Sequence, residues 1–248
     1  MIARKDVDAF FVRGLPMCLP HLSVDCVVFG FHGADLKLLL MKWKTLDLWA
    51  LPGGYVPRRE SLDQAAARVL RERAGVERVH LQQFHTFGGL ARKERVARRL
   101  FAGLHLDVPR DAWPFSRVVS VGYYALVDFW KVRPKADFLS DTCAWYPVHG
   151  LPPLAFDHEE IVDVALDSLR ASLDSPTASA KLLPRRFTMP ELQRLHEAIL
   201  GRTLDRRNFQ KRMLDRGGLV RLPERRTGGA HRAPFLYRFE ARRPRLGS

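Results

Sequence analysis

Cysteine is scarce in this 248-residue chain, which holds only Cys18, Cys26 and Cys143. Their odd number, wide spacing and lack of any Cys-x-x-Cys pair exclude a disulfide framework and a thiolate zinc site, and fit a reducing compartment. Long hydrophobic runs are missing too. The longest stretch free of Asp, Glu, Lys and Arg, Thr142 to Phe156, is broken by Pro147, Gly150, Pro152 and Pro153. It falls short of the roughly 20 apolar residues that a membrane span needs. The start, Met1-Ile-Ala-Arg-Lys-Asp6 with Asp8 behind it, lacks the apolar stretch of a secretory signal. Internal repeats and long low-complexity tracts are also absent. These absences predict a cytoplasmic protein with no membrane partner and no cofactor or metal held by cysteine.

What is present is an ordinary apolar share, 46%, enough for a globular core and too much for a disordered chain. The length suits one or two domains. Acidic residues are outnumbered, 27 against 41 Lys and Arg, for a net charge of +14. From Pro176 to Ser248 the basic residues number 18 and the acidic 6, whereas the preceding 175 residues hold 23 and 21. A nearly neutral body is thus followed by a strongly basic module, and the excess predicts a polyanionic partner. The run Leu173-Asp-Ser-Pro-Thr-Ala-Ser-Ala180 is small, polar and turn-forming, so residues 174–183 read as a linker. Residues 1–20 read as an N-terminal arm and 241–248 as a basic tail.

In the body, residues 21–173, His21 to Phe31 and Asp35 to Trp43 read as two strands of a hairpin. Leu62, Ala65, Ala66, Val69 and Leu70 fall at helical spacing in a segment ended by Gly75. Val118 to Phe129 has the chemistry of a buried strand, and Ile161, Val162, Ala165, Leu166 and Leu169 make one stripe of a final helix from His158. Trp49, Phe87 and Tyr124 read as core rather than as ligand-stacking rings. Strands interleaved with helices predict an α+β body.

From Gly54 the chain reads Gly, five residues, Glu60, seven residues, then Arg68-Val-Leu-Arg-Glu-Arg-Ala-Gly-Val76. This spacing resembles the Nudix box, with Gly54, Glu60, Arg68, Leu70, Glu72, Gly75 and Val76 matching. The resemblance implies a mixed-sheet α/β/α sandwich and, in a complete box, carboxylates that hold Mg²⁺ for cleavage of a diphosphate. Here two carboxylate positions hold Val69 and Arg73. An apolar residue cannot ligate a hard cation, and a guanidinium about 4 Å away repels it by roughly 4 kcal/mol per unit charge at an effective dielectric of 20. Hydrolysis is therefore not expected. Two readings of the arginines stay open. In one, Glu60, Arg68, Glu72 and Arg73 line an effector site in which the guanidinium forks take phosphates. In the other, Arg68 and Glu72 form a surface pair and Arg73 is solvated.

Val118-Val-Ser-Val-Gly-Tyr-Tyr-Ala-Leu126, Leu154-Ala-Phe-Asp-His158 and the basic module together resemble the Nudix-related transcriptional regulators of the NrtR type. Such proteins fuse a Nudix-like sensor to a winged helix-turn-helix. The resemblance spans about residues 20 to 240 and departs at about 90–116, a basic insertion beginning Leu90-Ala-Arg-Lys-Glu-Arg95. As a lid, a second basic patch or an unstructured loop, it has no counterpart in the resemblance, and the rarity of long structured connections favours the loop.

In residues 184–240, Thr188-Met-Pro-Glu191 is a capping box that opens a helix ended by Gly201. Asp205 caps a second helix closed by Gly217-Gly218, and two short helices so joined match a helix-turn-helix. With Phe209 and Met213 anchoring one side, Arg206, Arg207, Asn208, Gln210, Lys211 and Arg212 remain for DNA. Arg and Asn are the types that read guanine and adenine edges. Leu219 to Leu222 and Phe235 to Phe239 read as strands flanking a wing that carries Arg225, Arg226 and Arg232. Those three are expected on phosphates or in a minor groove, and Arg185 and Arg186 on further phosphates. The resemblance implies a homodimer on a palindromic operator in double-stranded DNA, acting as a repressor and answering ADP-ribose, a related NAD metabolite or a sugar. The alternatives are a hydrolase of nucleoside diphosphate derivatives with a basic appendage and an RNA-binding Nudix-like protein.

Overall fold

The computed structural model describes residues 15–77, 79–89, 94–103, 115, 117–137, 139–173, 175–226 and 233–240. Most of the arm, the tail and Arg232 lie outside them.

The body is built on β1 (Cys18–His32), a 15-residue strand whose centre, Val24 to Phe29, is almost wholly buried. It turns at Gly33 into β2 (Asp35–Trp43), with His32 opposite Asp35, as the hairpin reading expects. Because β1 begins at Cys18, the strand takes in the last residues of the segment read as an arm to residue 20. Its first half pairs with β4 (Gly53–Pro57), its last residues with β2, and its other edge runs parallel to β6 (Val119–Val127). β3 (Trp49–Ala50), β5 (Leu81–Phe87) and β7 (Ser140–Pro147) complete a seven-stranded mixed sheet.

Alternation along β1 divides its side chains between two layers. Val24, Cys26 and Val28 join Ala65, Ala66, Val69 and Leu70 of α1 (Leu62–Ala74) on one face. Val27 and Phe29 join Ile161, Val162, Ala165 and Leu169 of α3 (His158–Ser172) on the other. This is the expected α/β/α sandwich. Among the described residues, no helix is long and apolar enough to cross a membrane.

Two segments depart from the sequence reading. The insertion at 90–116 contains α2 (Glu94–Gly103), where a loop without structure was expected. Leu100 of α2 is buried, and Phe115 beyond it is buried as well, so apolar contacts order at least this part of the segment. The linker of 174–183 likewise contains α4 (Pro176–Leu182). Proline suits a first helical turn, and burial of Ala178, Leu182 and Leu183 supplies the packing that the small polar composition concealed.

Downstream lie α5 (Met189–Leu200), α6 (Arg206–Asp215) and a small sheet in the order β8 (Phe187–Thr188), β10 (Phe235–Phe239), β9 (Leu219–Arg225). The predicted caps form: Thr188 Oγ1 accepts from the Glu191 amide at 3.3 Å, and Asp205 Oδ1 from the Asn208 amide at 2.9 Å. Leu192, Leu195, Ile199, Phe209 and Tyr237 belong to the same hydrophobic cluster as Phe29 and Ile161. One apolar interior therefore runs from the body through α4 into the basic module.

Candidate functional site

Ser61 and Gln64 close a reciprocal capping box at the start of α1, and Gly75, in the left-handed region at φ 68°, ends the helix. The helix so delimited carries the residues of the box. Val69 is buried against the sheet. A Cβ on Gly54 would stand 2.9 Å from Val69 Cγ2, so the glycine lets the β4 backbone approach this side chain closely.

All three guanidinium nitrogens of Arg68 donate hydrogen bonds. Its Nε donates to Glu60 at 2.9 and 3.1 Å, Nη1 to Glu72 at 3.3 Å and Nη2 to the Tyr55 carbonyl at 3.0 Å. Burial alone would lower its pKa, but the two carboxylates outweigh that effect and raise it.

Arg73 is not solvated, contrary to one of the two readings. Only 8% exposed, it places Nη1 3.1 Å from Asp137 Oδ2 and its guanidinium carbon 5.1 Å from the centre of the Trp43 ring. Burial lowers the Arg73 pKa, and Asp137 only partly offsets this. Asp137 is itself fixed, its Oδ1 accepting from the Leu139 amide, the Ser140 amide and the Ser140 hydroxyl. The Arg73–Asp137 contact is an ion pair by distance without hydrogen-bond geometry. Arg73 Nε, Asp137 Oδ2, Trp43 Nε1 and Thr45 Oγ1 are buried with no hydrogen-bond partner among the described residues.

Of the four residues expected at an effector site, Glu60, Arg68 and Glu72 therefore meet in one network, while Arg73 turns to Asp137. Counting Arg71, which pairs with Glu72 at 3.3 Å, three guanidinium groups face three carboxylates, so Arg68 and Arg73 each already have a carboxylate partner. This donor set does not fit the magnesium of a complete Nudix box: an apolar Val69 and the Arg73 cation occupy two ligand positions, and Arg68 engages the two remaining glutamates. Sequence reasoning missed Trp43, Thr45 and Asp137, which no spacing rule links to the box.

Behind the Leu51-Pro52 connection between β3 and β4, His158 Nδ1 accepts from the Leu51 amide at 2.9 Å. That bond leaves Nε2 as the protonated nitrogen, 3.5 Å from Asp25 Oδ1. Asp25 Oδ2 accepts from the Ser120 hydroxyl. All three side chains are buried. At the far end of the same helix, Arg170 Nε donates to the Ile199 carbonyl of α5 at 3.0 Å.

In the basic module, Phe209 and Met213 anchor α6, leaving Arg206, Arg207, Asn208, Lys211 and Arg212 exposed and Gln210 half-buried. Arg185 and Arg186 are exposed ahead of β8, where Arg186 pairs with Glu224 at 3.4 Å. Arg225 and Arg221 each lie over the Phe235 ring, 3.9 and 3.8 Å from its centre. Arg226 donates to both carboxylate oxygens of Glu191 at 2.8 and 2.9 Å. Sequence reading passed over Arg221, whose stacking partner lies on another strand.

The profile described as "NUDIX domain" matches residues 19–169, and that described as "NrtR DNA-binding winged helix domain" matches residues 179–239. The chain is 28% identical over 227 residues to the ADPR responsive transcriptional repressor NtrR of Acinetobacter baylyi, covering 89% of this chain and 82% of that protein. The crystal structure of Shewanella oneidensis NrtR is similar with a TM-score of 0.65 at 27% identity, over 88% of this chain and 94% of that one. The same protein complexed with a 27mer DNA gives 0.66 at 29%, over 88% and 93%.

Proposed function

The chain belongs to the NUDIX family, and from that premise we propose that it is a DNA-binding transcriptional repressor whose NUDIX body senses ADP-ribose or a related ligand. The observation that carries this reading is the exposed basic face of α6, seated on the same apolar cluster as the NUDIX body. A DNA-reading element and a ligand-binding fold are thereby packed as one object. The relatives support both halves, since one is named for its response to ADPR and another was crystallised with a 27mer DNA.

In this reading Arg206, Arg207 and Asn208 at the start of α6 meet base edges in a major groove. Gln210, Lys211, Arg212, Arg185, Arg186, Arg225, Arg226 and Arg232 hold the backbone. The protein acts in the cytoplasm as a homodimer on a palindromic operator. Hydrolysis is no part of the reading, because Val69 and Arg73 stand where carboxylates would hold magnesium. Glu60, Arg68 and Glu72 shape the effector site from one side, as a fixed network rather than as free charges.

Helix α3 supplies the connection. His158 at its first turn holds the loop of the box, and Arg170 near its last turn holds α5. A ligand that binds one position of the loop more tightly than another would bias α3, and with it the DNA-binding module. Selection of random duplexes by the full-length protein, with and without ADP-ribose, tests the proposal. It predicts an enriched palindrome whose recovery changes with ADP-ribose; enrichment of no duplex, or tighter binding to structured RNA, refutes it.

A further inference from the structure

Among the described residues, four buried polar atoms lack a hydrogen-bond partner, two of them in the Arg73–Asp137 pair itself: Trp43 Nε1, Thr45 Oγ1, Arg73 Nε and Asp137 Oδ2. Three of the four residues are in contact. Arg73 touches both Asp137 and the Trp43 ring, and Thr45 follows Trp43 by two residues. The end of α2 closes over Thr45, where a Cβ on Gly103 would stand 2.6 Å from the threonine Cβ. Buried polar groups are normally paired, so several orphans together need a physical account.

Their chemistry restricts the occupant. The indole and guanidinium N–H groups only donate, the carboxylate oxygen only accepts, and the threonine hydroxyl does either. A phosphate brings acceptors alone and would set its negative oxygens against Asp137. A hydroxyl accepts one hydrogen bond and donates another, so two hydroxyls match the two fixed donors, the carboxylate and Thr45. The Arg73–Asp137 pair is also electrically neutral, which suits an uncharged group.

We infer that Trp43, Thr45, Arg73 and Asp137 form a recognition site for the vicinal hydroxyls of a ribose-like sugar, capped by the insertion helix α2. The site deepens the proposed function and rests on it, since it assigns the sugar end of the effector, rather than its phosphates, to Arg73. It also gives the insertion a task, that of shielding these hydrogen bonds from water.

Titration calorimetry on the full chain tests the inference with ADP-ribose, ADP and free D-ribose or L-arabinose, using Thr45→Val, Thr45→Ser and Trp43→Phe. ADP lacks the second ribose. Thr45→Val and Trp43→Phe are expected to weaken ADP-ribose by about tenfold each while leaving ADP unchanged, and Thr45→Ser to bind as the wild type. Unchanged ADP-ribose affinity in both variants, or equal losses for ADP, overturns the site and leaves the effector reading standing. If ADP-ribose does not bind the wild type, the effector reading fails and the pentoses decide the site. A pentose that binds and is lost with Thr45→Val supports it. If none binds, the orphan atoms hold ordered water at most and the inference is wrong.

Discussion

Arg226, at the end of β9, grips both carboxylate oxygens of Glu191, the residue that closes the capping box of α5. A phosphate reaching Arg226 must therefore compete with Glu191. Glutamine serves equally in a capping box, so Glu191→Gln is expected to keep the helix cap and free the arginine. Duplex affinity at low salt should rise several-fold with little change in thermal stability. Arg226→Ala should weaken all duplexes alike and lower the salt slope by about 0.9. Electrophoretic mobility or anisotropy titrations across a salt series measure both.

At the start of α6, Arg207→Ala or Asn208→Ala should relax preference at one or two base pairs, each costing about 1–3 kcal/mol on the preferred operator. Random duplexes should be little affected. Equal losses on operator and random DNA would remove the base-reading role.

His196 is buried beside Phe209, and its Nε2 lies 3.1 Å from Ser179 Oγ. Burial, with Arg212 and Arg216 nearby, pushes its pKa down to about 4 from the ordinary 6.5. The unfolded chain therefore binds this proton more tightly than the folded one. The stabilisation is fully present above about pH 6.5 and is lost as the pH falls towards 4, to a limit of about 3 kcal/mol. Urea unfolding followed from pH 7 to 4 should show that loss, and His196→Gln should flatten it.

His158 is expected to act on communication more than on either binding event. His158→Phe leaves the Leu51 amide without its acceptor, at a stability cost of about 1–3 kcal/mol. The ratio of operator affinities measured with and without ADP-ribose should shrink at least fivefold, while affinity for DNA alone stays near that of the wild type. An unchanged ratio would place the communication elsewhere.

Replacing Val69 by Glu, to refill the box, should destabilise the body by at least about 2 kcal/mol, because the side chain faces an apolar layer beneath Gly54. Thermal melting of the variant, with and without magnesium, measures the loss.

What could be read in advance was local. The β1–β2 hairpin, α1, α5 and α6 announce themselves through residue alternation, helical periodicity and caps within three positions of one another. The partners that decide the site lie far apart in the chain. Arg73 meets Asp137, His158 meets Asp25, and Arg226 meets Glu191. A lone arginine at position 73 gives no sign of the carboxylate that neutralises it, so the choice between a solvated and a phosphate-binding side chain could not be made from spacing. Helix α4 was hidden for another reason. Its Ser, Thr and Pro residues favour turns in isolation, and only packing of Ala178 and Leu182 against the neighbouring elements overrides that preference.

The unbroken interior that passes through α4 has a practical consequence for anyone wishing to rewire this protein. A cut after Leu173 would strip Leu173 itself and the α3 surface of their cover and leave Ala178, Leu182 and Leu183 facing water on the other fragment. Exchange of sensors between such chains should therefore carry α4 and the apolar faces that enclose it, with the join placed in an exposed turn.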